Sequence, residues 1–526
     1  MKEILVLRFA LVVVIAFAGL AGCRAQQSQI LPGVPPGGTT LSYVRPNTEE
    51  LPEPPVVKSV RGVARVSFIV NLSPHTGFPQ FTVNGLNETA PTIRVNPGDT
   101  IDITEADELT PVQGDKNDIN LHFHGFGTSP NAPGDDVLGM LAHPGQRLHY
   151  IVHVAKNQEP GLYWYHPHVH GETNYQVGEG GMSGAIIVNG LERHLPRLAK
   201  MTQHVIIVRD TGNGEAAQKF DGSAGMEDGM AGMATASPHT INNEPCGPET
   251  GLTTSLNYIV QPDITIAPGE KQFFRVINAT GHKTLKLAVD GEKLTVVAID
   301  GFALDTYRGT PPTLVEPYAI VPPAARVEFV VTGPRSRSAK FRTLCYDTGS
   351  GGDRDPELVL ANLKHPSRPQ GAPSSTWGPI TVGEPLPENV YTTALPPVSA
   401  KRVVVFSEGE THFRINRKIF RMQDPPMFVV HTGTVEQWRI ENITAETHDF
   451  HIHQLHFLVK EIDGVKVAHP FWADSELIPH RHTNGAPGTL VLLMDFRDPV
   501  IKGTFVFHCH ILDHEDHGMM AKIQAI

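Results

Sequence analysis

Short runs in which apolar and polar residues alternate recur along the whole chain and predict β-strands. This period of two places neighbouring side chains on opposite faces of an extended segment. Few stretches show a helical period, and 49 glycines and 44 prolines favour turns between short strands. The pattern predicts an all-β protein of packed sheets. The clearest runs are VARVSFIV at 63–70, SGAIIVNG at 183–190, HVIIVRD at 204–210, ARVEFVVTG at 325–333 and GTLVLLMDF at 488–496.

A glycine turn followed by an alternating strand occurs three times. The copies span residues 97–107, 268–278 and 432–442, and each ends in Asp or Asn. Self-similarity at long and nearly equal spacing indicates one β-sandwich domain per copy. A Pro-rich stretch at 364–400 separates the last two copies and reads as a linker. The predicted domains are 56–195, 196–375 and 376–526.

The N-terminal residues have the layout of an export signal. Lys2 and Arg8 precede an apolar run at 9–20. The tetrapeptide Leu-Ala-Gly-Cys starts with the last residue of this run and ends at Cys23. We predict a lipoprotein-type signal peptide at 1–22, with an ordinary secretory signal as the alternative. Residues 23–55 are expected to form a flexible tether. The mature protein is then exported, periplasmic or at the cell surface, and anchored to a membrane (the outer one, where the organism has one) by a lipidated Cys23.

Charge and cysteine content narrow the range of partners. The formal net charge is −12 and no basic tract opposes it, so nucleic acid is not an expected partner. Cations and neutral small molecules remain compatible with this charge. Cys246 and Cys345 lie in the middle of the chain. In an oxidising compartment they form either one disulfide or two separate thiols, and the sequence leaves both possibilities open.

The segment FVFHCH near the C-terminus combines a strand pattern with metal-binding side chains. On a strand, Cys509 faces one side while His508 and His510 face the other. His514 and Met519 follow closely. A Cys thiolate, two His and a weak axial Met form the ligand set of a blue-copper electron-transfer site, so this stretch lacks only one His. The alternative is a buried core thiol between two structural histidines.

Histidine pairs separated by one residue occur towards both ends of the chain. On a strand the two rings of a pair share one face, with α-carbons about 6.6 Å apart, so they can bind one metal or two adjacent metals. A single pair is a weak signal and is more often structural. Four pairs, one of them enclosing a Cys, indicate a metal cluster. They are His122/His124, His166/His168, His451/His453 and His508/His510.

With these motifs in this order, the chain resembles the multicopper oxidases, a laccase-like family of three consecutive cupredoxin-like Greek-key β-sandwich domains. The family pattern HxH, HxH, HxxHxH and HCHxxxHxxxxM is filled at every ligand position. The resemblance implies four copper ions per chain, with a trinuclear cluster between domains one and three and no copper in domain two. It implies type 1 copper at His448, Cys509, His514 and Met519, type 2 copper at His122 and His451, and a type 3 pair at His124, His166, His168, His453, His508 and His510.

The resemblance also implies the reaction. A small-molecule reductant gives up single electrons near the edge of His448 or His514. The electrons pass from the Cys509 thiolate through the backbone to His508 and His510. After four electrons, dioxygen is reduced to two waters.

Oxygen reduction needs protons, and three carboxylates are candidates for supplying them. Asp135 and Asp136 lie roughly where the family has an acid near the type 2 copper, and their spacing does not distinguish between them. Glu515 matches a family position associated with proton delivery. The alternative for the Asp pair is a solvated loop.

The ligand motifs do not specify the electron donor. Laccase-like enzymes oxidise phenols and aromatic amines, whereas cuprous oxidases of the family use Met-rich segments because thioether sulfur favours Cu(I). Met226, Met230 and Met233 lie in a Gly-rich loop that reads either as a Cu(I) site or as an incidental exposed loop. We expect a laccase-like oxidase, with Cu(I) oxidation for copper detoxification as the alternative. A copper-binding or electron-carrier protein is the alternative of another class, although a carrier needs only the thiolate site.

Overall fold

The protein is a chain of three β-sandwich domains. The computed structural model describes residues 45–46, 50–73, 76–83, 90–110, 117–212, 252–367, 378–409 and 411–526. Strands account for 45% of the structure and helices for 6%, so the all-β prediction is confirmed. Six sheets are formed by the described residues, and they pack in pairs.

The first domain packs a four-stranded sheet against a five-stranded one. The first ten strands of the chain are β1 (Arg45–Pro46), β2 (Val56–Lys58), β3 (Val63–Leu72), β4 (Pro79–Val83), β5 (Thr92–Val95), β6 (Thr100–Asp107), β7 (His122–His124), β8 (Arg147–His153), β9 (Gly161–His166) and β10 (Gly184–Val188). The strand orders are β4-β3-β6-β8 and β2-β5-β10-β9-β7. Phe68 of β3 and Ile186 of β10 lie in one buried core, which joins the two sheets.

The second domain contains the largest of the six sheets, with nine strands. Its strands are β11 (Thr202–Gly212), β12 (Leu252–Leu256), β13 (Ile259–Val260), β14 (Asp263–Thr265), β15 (Lys271–Asn278), β16 (Leu285–Val289), β17 (Leu294–Ile299), β18 (Phe302–Ala303), β19 (Leu314–Glu316), β20 (Ala319–Val321), β21 (Arg326–Thr332), β22 (Lys340–Leu344) and β23 (Leu358–Lys364). The orders are β1-β13-β12-β11-β15-β21-β17-β18, with β19 on β17, and β14-β23-β22-β16-β20. Phe274, Phe329 and Phe341 pack together between the sheets.

The third domain contains the C-terminal motifs. Its strands are β24 (Ala400–Glu408), β25 (Phe413–Ile415), β26 (Phe428–Val430), β27 (Val435–Asn442), β28 (His448–Ile452), β29 (Phe457–Ile462), β30 (Val465–Lys466), β31 (Trp472–Ala473), β32 (Ser475–Ile478), β33 (Gly488–Asp495), β34 (Gly503–Cys509) and β35 (Met520–Ala525). The orders are β25-β24-β27-β33-β29-β30, with β31 on β29, and β26-β35-β34-β28-β32. Trp438, Phe450 and Phe507 share its core.

The sequence repeat corresponds to one structural position in each domain. Strands β6, β15 and β27 each pair in parallel with an earlier strand of their domain, namely β3, β11 and β24. On the other side they pair in antiparallel fashion with β8, β21 and β33. The repeated segment is therefore the interior strand of a sheet, where both edges are hydrogen-bonded.

The Asn that ends two of these strands organises the corner that follows. The side-chain amide of Asn278 donates to the carbonyls of Lys283, Val321 and Pro322, and its oxygen accepts from Thr280. Asn442 repeats this pattern with Thr444. In the third domain this corner leads directly into β28, which begins at His448.

Helices are few and short among the described residues. They comprise α1 (Leu191–His194), α2 (Leu512–Asp516), a π-helical turn (Asn174–Glu179) and 3₁₀ turns at Leu198–Lys200, Leu304–Thr306 and Pro499–Ile501. Within the described ranges, no helix has both the length and the apolar character needed to cross a membrane.

Domains one and two share an apolar interface of their own. Leu162, Trp164 and Ile187 of the first domain form a buried cluster with Ile207 and Ile277 of the second. The backbones also approach closely, because a Cβ placed on Gly161 would lie 2.1 Å from the carbonyl oxygen of Gly301. Glycine is therefore required where β9 meets domain two, which fixes this strand relative to the second domain.

Residues 50–55, at the end of the predicted tether, pack against domain two instead of forming a flexible linker. Leu51 is 6% exposed in the core of the second domain, and its N–H donates to the carbonyl of Asp263. The Glu53 carboxylate lies 2.8 Å from His204 Nδ1. Apolar burial and this pairing hold residues 50–55 on domain two. The proposed domain boundaries otherwise stay predictions.

Several predicted features lie outside the described residues. These are the signal peptide, Cys23, Cys246 and the loop with Met226, Met230 and Met233. Cys345 is disulfide-bonded, which excludes a free thiol at this position, and its partner also lies outside the described residues.

The Phe cluster of domain two provides a test of the fold. Truncation of Phe341 to Ala removes a fully buried ring and should lower the free energy of unfolding by about 3–5 kcal/mol. Val315 is 56% exposed, so Val315→Ala should change it by no more than about 0.5 kcal/mol. Denaturant unfolding of both variants measures the difference, and equal effects would contradict this core.

Candidate metal centres

Two pairs of neighbouring strands bring the histidine motifs together. In domain one, β7 pairs with β9 so that His122 lies opposite His166. In domain three, β28 pairs with β34 so that His451 lies opposite His508, and Phe450 opposite Cys509. Residues opposite one another share a face. Motifs far apart in the chain are therefore placed side by side by strand register.

The side chain of Cys509 meets two imidazoles inside domain three. Its Sγ lies 3.7 Å from His448 Nδ1 and 3.8 Å from His514 Nδ1, and these two nitrogens are 3.1 Å apart. All three side chains are buried. Both rings thus direct a nitrogen at the thiol, and a thiolate with two imidazoles is a ligand set that binds copper.

The outer nitrogens of both rings have separate polar neighbours. His448 Nε2 is 3.0 Å from the hydroxyl of Thr444, and His514 Nε2 is 3.1 Å from the Glu446 carboxylate. Such contacts orient a histidine and leave its other nitrogen for a metal. Met519 is fully buried, and its backbone N–H donates to His514 while its carbonyl accepts from Cys509. The predicted axial residue is therefore adjacent to the thiol site.

The remaining predicted ligands converge between domains one and three. His168 Nε2 is 3.3 Å from His508 Nε2, which is 3.2 Å from His453 Nε2. His124 Nδ1 is 3.4 Å from His166 Nε2. All eight rings of this histidine cluster are at most 1% exposed; they are His122, His124, His166, His168, His451, His453, His508 and His510.

Unpartnered ring nitrogens in this histidine cluster fit metal ions. The Nδ1–H of His122 donates to Asp135 at 3.0 Å, and the Nδ1–H of His451 donates to the carbonyl of Asp474 at 2.8 Å. The Nε2 atoms of both rings are buried without a hydrogen-bond partner, as are both ring nitrogens of His510. Buried polar atoms of this kind are costly unless something binds them. A metal is the ligand that suits convergent imidazoles.

Burial also keeps these rings in the form that binds metals. It lowers the pKa of His448 to about 3, and together with neighbouring His508 it lowers the pKa of His510 to about 3. These two rings are therefore neutral at ordinary pH, as metal ligation requires. Burial raises the pKa of the Cys509 thiol, so thiolate formation depends on the bound cation.

The three candidate carboxylates occupy different positions. Asp135 is buried against His122 and also accepts from Gln454 Nε2 at 2.6 Å. Asp136 instead accepts from the N–H of Gly139 within a turn. The two neighbours, which the sequence left equivalent, thus have different environments, and Asp135 is the one at the histidine cluster.

Glu515 contacts rings of the histidine cluster other than the one that Asp135 contacts. Its Oε1 accepts from the hydroxyl of Thr173 at 3.1 Å and is 3.4 Å from His168 Nε2. Its Oε2 is 3.1 Å from His508 Nδ1. This buried carboxylate therefore contacts ring nitrogens from both domains.

Sequence reasoning missed several residues that contact the predicted ligands. Glu446 and Gln454 flank the third histidine motif, and their proximity to His448 and His453 in the chain could have indicated them. Asp474 carried no signal, because it belongs to no motif. Its contacts with the histidine cluster arise from the fold alone.

Comparison with known proteins agrees with this geometry. Three multicopper oxidase family models match residues 71–193, 203–334 and 394–525. The chain is 26% identical over 448 residues to multicopper oxidase mco of Staphylococcus epidermidis, covering 83% of this chain and 82% of that protein. It is 25% identical over 429 residues to a laccase of Bacillus subtilis, covering 76% and 78%.

Solved structures share the fold. A multicopper oxidase from Campylobacter jejuni, described as a metallo-oxidase, matches with a TM-score of 0.67 at 21% identity over 95% of this chain and 99% of that one. A laccase-like oxidase, CueO, from Ochrobactrum sp. matches with a TM-score of 0.64 at 22% identity over 90% and 100%. The chain therefore belongs to the multicopper oxidase family and is a copper-dependent oxidoreductase that uses dioxygen.

Proposed function

We propose that this protein couples the one-electron oxidation of phenols or aromatic amines to the four-electron reduction of dioxygen to water, as a laccase does. The observation that carries the proposal is the complete set of buried donors, a thiol with two imidazoles and eight further imidazoles, in two adjacent groups. A copper-binding or carrier protein would need only the first group.

The proposal assigns four copper ions to these donors. Copper supplies a one-electron acceptor at the thiol site and the means of reducing dioxygen at the histidine cluster. The assignment is type 1 copper at His448, Cys509, His514 and Met519, type 2 copper at His122 and His451, and type 3 coppers at His124, His166, His168, His453, His508 and His510.

The chain itself links the two groups of donors. Cys509 lies in the thiol site, and its two sequence neighbours, His508 and His510, lie in the histidine cluster. A ring nitrogen of His508 is 2.9 Å from the carbonyl oxygen of Cys509. This covalent and hydrogen-bonded connection supports passage of electrons from the thiolate to the adjacent histidines.

The donor is proposed to deliver its electron at His514. This side chain is 6% exposed, whereas the side chain of His448 is fully buried. Phe413 stacks on the His514 ring at 3.9 Å between centroids. Little of the ring is accessible, so a donor can contact only a small part of it. Such a contact suits small aromatic molecules, which can give up an electron there, better than donors that must bind the metal.

Oxidation of Cu(I) is the second candidate. The Campylobacter jejuni structure is described as a metallo-oxidase, and the Met-containing loop of this chain offers soft ligands. The similar proteins include both a laccase and a metallo-oxidase, so the donor must be tested directly. We also propose that the protein is exported and is anchored to a membrane through a lipidated Cys23. This part of the proposal rests on the N-terminal sequence.

Proton supply is proposed to come through two carboxylates that contact different rings of the histidine cluster. Asp135 holds the proton on His122 Nδ1 and Glu515 contacts His168 and His508. Each side chain can pass a proton inward while its polar neighbours keep it oriented. Asp136 is not assigned this role, because its carboxylate is engaged by a turn.

The copper assignment predicts a selective loss in Cys509→Ser. Without the thiolate, the visible absorption of a blue-copper site should disappear, and copper content should fall by one ion per chain while the cluster ions remain. Elemental analysis and visible spectroscopy measure both. His517 is next to the site but outside the proposed ligand set, so His517→Gln should leave both unchanged; an unchanged Cys509→Ser spectrum would contradict the assignment.

The donor is tested by oxygen uptake with a simple phenol and with Cu(I). The unsubstituted protein should turn over the phenol, and changing Met226, Met230 and Met233 to Leu should leave this rate unchanged. If uptake occurs only with Cu(I) and the Met changes abolish it, the cuprous oxidase is correct instead. Uptake with neither donor would favour the carrier.

The carboxylates are tested by isosteric amides. Asp135→Asn and Glu515→Gln should each slow oxygen reduction by about 10²-fold or more and alter its pH profile, since the ionisable group is removed while the shape of the side chain is kept. Asp136→Asn is the matched control and should behave as the unsubstituted protein. Copper content must stay constant for the comparison to hold. Normal rates and pH profiles in both test variants would disprove the relay.

A further inference from the structure

A buried arginine of domain two reaches into the boundary between domains one and three. Arg326 begins strand β21 and is 1% exposed. Its two terminal nitrogens donate to the two carboxylate oxygens of Asp474 at 2.7 and 2.6 Å. This is a fork-to-fork pair, whose planar geometry fixes orientation as well as distance. Domain two, which has no proposed ligand, thus binds a residue of domain three through two hydrogen bonds.

Asp474 in turn contacts two proposed ligands of the histidine cluster. The Nε2–H of His124 donates to its Oδ1 at 3.1 Å, and its backbone carbonyl accepts from His451 Nδ1 at 2.8 Å. His124 Nδ1 remains directed at the cluster, where it lies 3.4 Å from His166 Nε2. Asp474 therefore binds one nitrogen of each ring and leaves the other nitrogen for the histidine cluster.

The same arginine also holds the strand that carries His166. Its Nε–H donates to the carbonyl of Leu162 on β9 at 3.2 Å, and Glu328, two residues along β21, accepts from the Leu162 N–H at 3.2 Å. Asp300 completes the unit, because its carboxylate accepts from the backbone N–H groups of Arg326 and Asp474.

The glycine that follows the first histidine motif leaves room for this pair. Gly125 has φ +77°, and a Cβ there would lie 2.2 Å from an Arg326 nitrogen and 2.5 Å from Asp474 Oδ2. The HFHG motif can therefore approach only because residue 125 has no side chain. Three domains meet at this point through packed polar atoms.

We propose that Arg326 and Asp474 form a positioning unit by which domain two sets the ring orientation of His124 and His451 and so the copper affinity of the histidine cluster. The inference rests on the proposed copper assignment. Arg326 and Asp474 are positioning residues, since neither is a proposed copper ligand.

The test replaces the fork by a single point charge. Arg326→Lys keeps the positive charge but cannot donate to both carboxylate oxygens in one plane. We expect the cluster ions to be bound about 10- to 100-fold more weakly in chelator competition, with the blue absorption of the thiol site retained. Spectroscopic signals of the cluster copper should weaken in parallel.

A matched control exists within domain three. Arg402 also forms a two-pronged pair, with Glu436 at 2.6 and 2.8 Å, and this pair contacts none of the proposed ligands. Arg402→Lys should leave both copper populations unchanged. A cluster loss as large as that in Arg326→Lys would show a general folding effect and overturn the inference.

The outcomes separate this inference from the proposed function. If the unsubstituted protein binds no cluster copper, the copper assignment itself is wrong. If it binds cluster copper and Arg326→Lys retains it at full affinity, or loses blue and cluster copper equally, the positioning role is wrong. Should Arg326→Lys fail to fold, Asp474→Asn, which keeps the side-chain shape, is judged by the same two criteria.

Discussion

The alternation of side chains on one strand is the constraint on which the two donor groups depend. On β34, Cys509 turns into the core of domain three and His508 turns towards domain one, because successive residues of a strand face opposite ways. The two groups are therefore held at a separation set by covalent geometry. A slip of one residue in the pairing with β28 would exchange the faces and destroy both groups together.

Burial makes the histidine cluster expensive to keep without a bound ion. Eight buried imidazoles share a space in which several ring nitrogens have no hydrogen-bond partner, and each such nitrogen has lost its water. Hydrogen bonds to Asp135 and to the carbonyl of Asp474 hold the rings of His122 and His451. The rings therefore cannot rotate to bring their Nε2 atoms to another hydrogen-bond partner. Contacts within the protein thus fix the direction of the inward nitrogens, which is how a preorganised metal site gains affinity.

Local patterns allowed much of this to be predicted. The repeat predicted the interior strands β6, β15 and β27, and the period of two predicted the opposite faces around Cys509. The choice between Asp135 and Asp136 could not be made, because the direction of each side chain depends on how the turn at Gly139 closes. Asp474 and His124 are 350 positions apart, and no local pattern encodes such a contact.

The position of domain two follows from the same reasoning. Arg326 and Asp300 connect it to Asp474 beside the histidine cluster, and the Arg326 charge would be prohibitively costly to bury alone. Asp474 and the Leu162 carbonyl compensate it, and each belongs to a different domain. All of these hydrogen bonds can form only when the three domains are assembled. In the proposed positioning role, domain two, although it has no proposed copper ligand, couples completion of the fold to completion of the metal site.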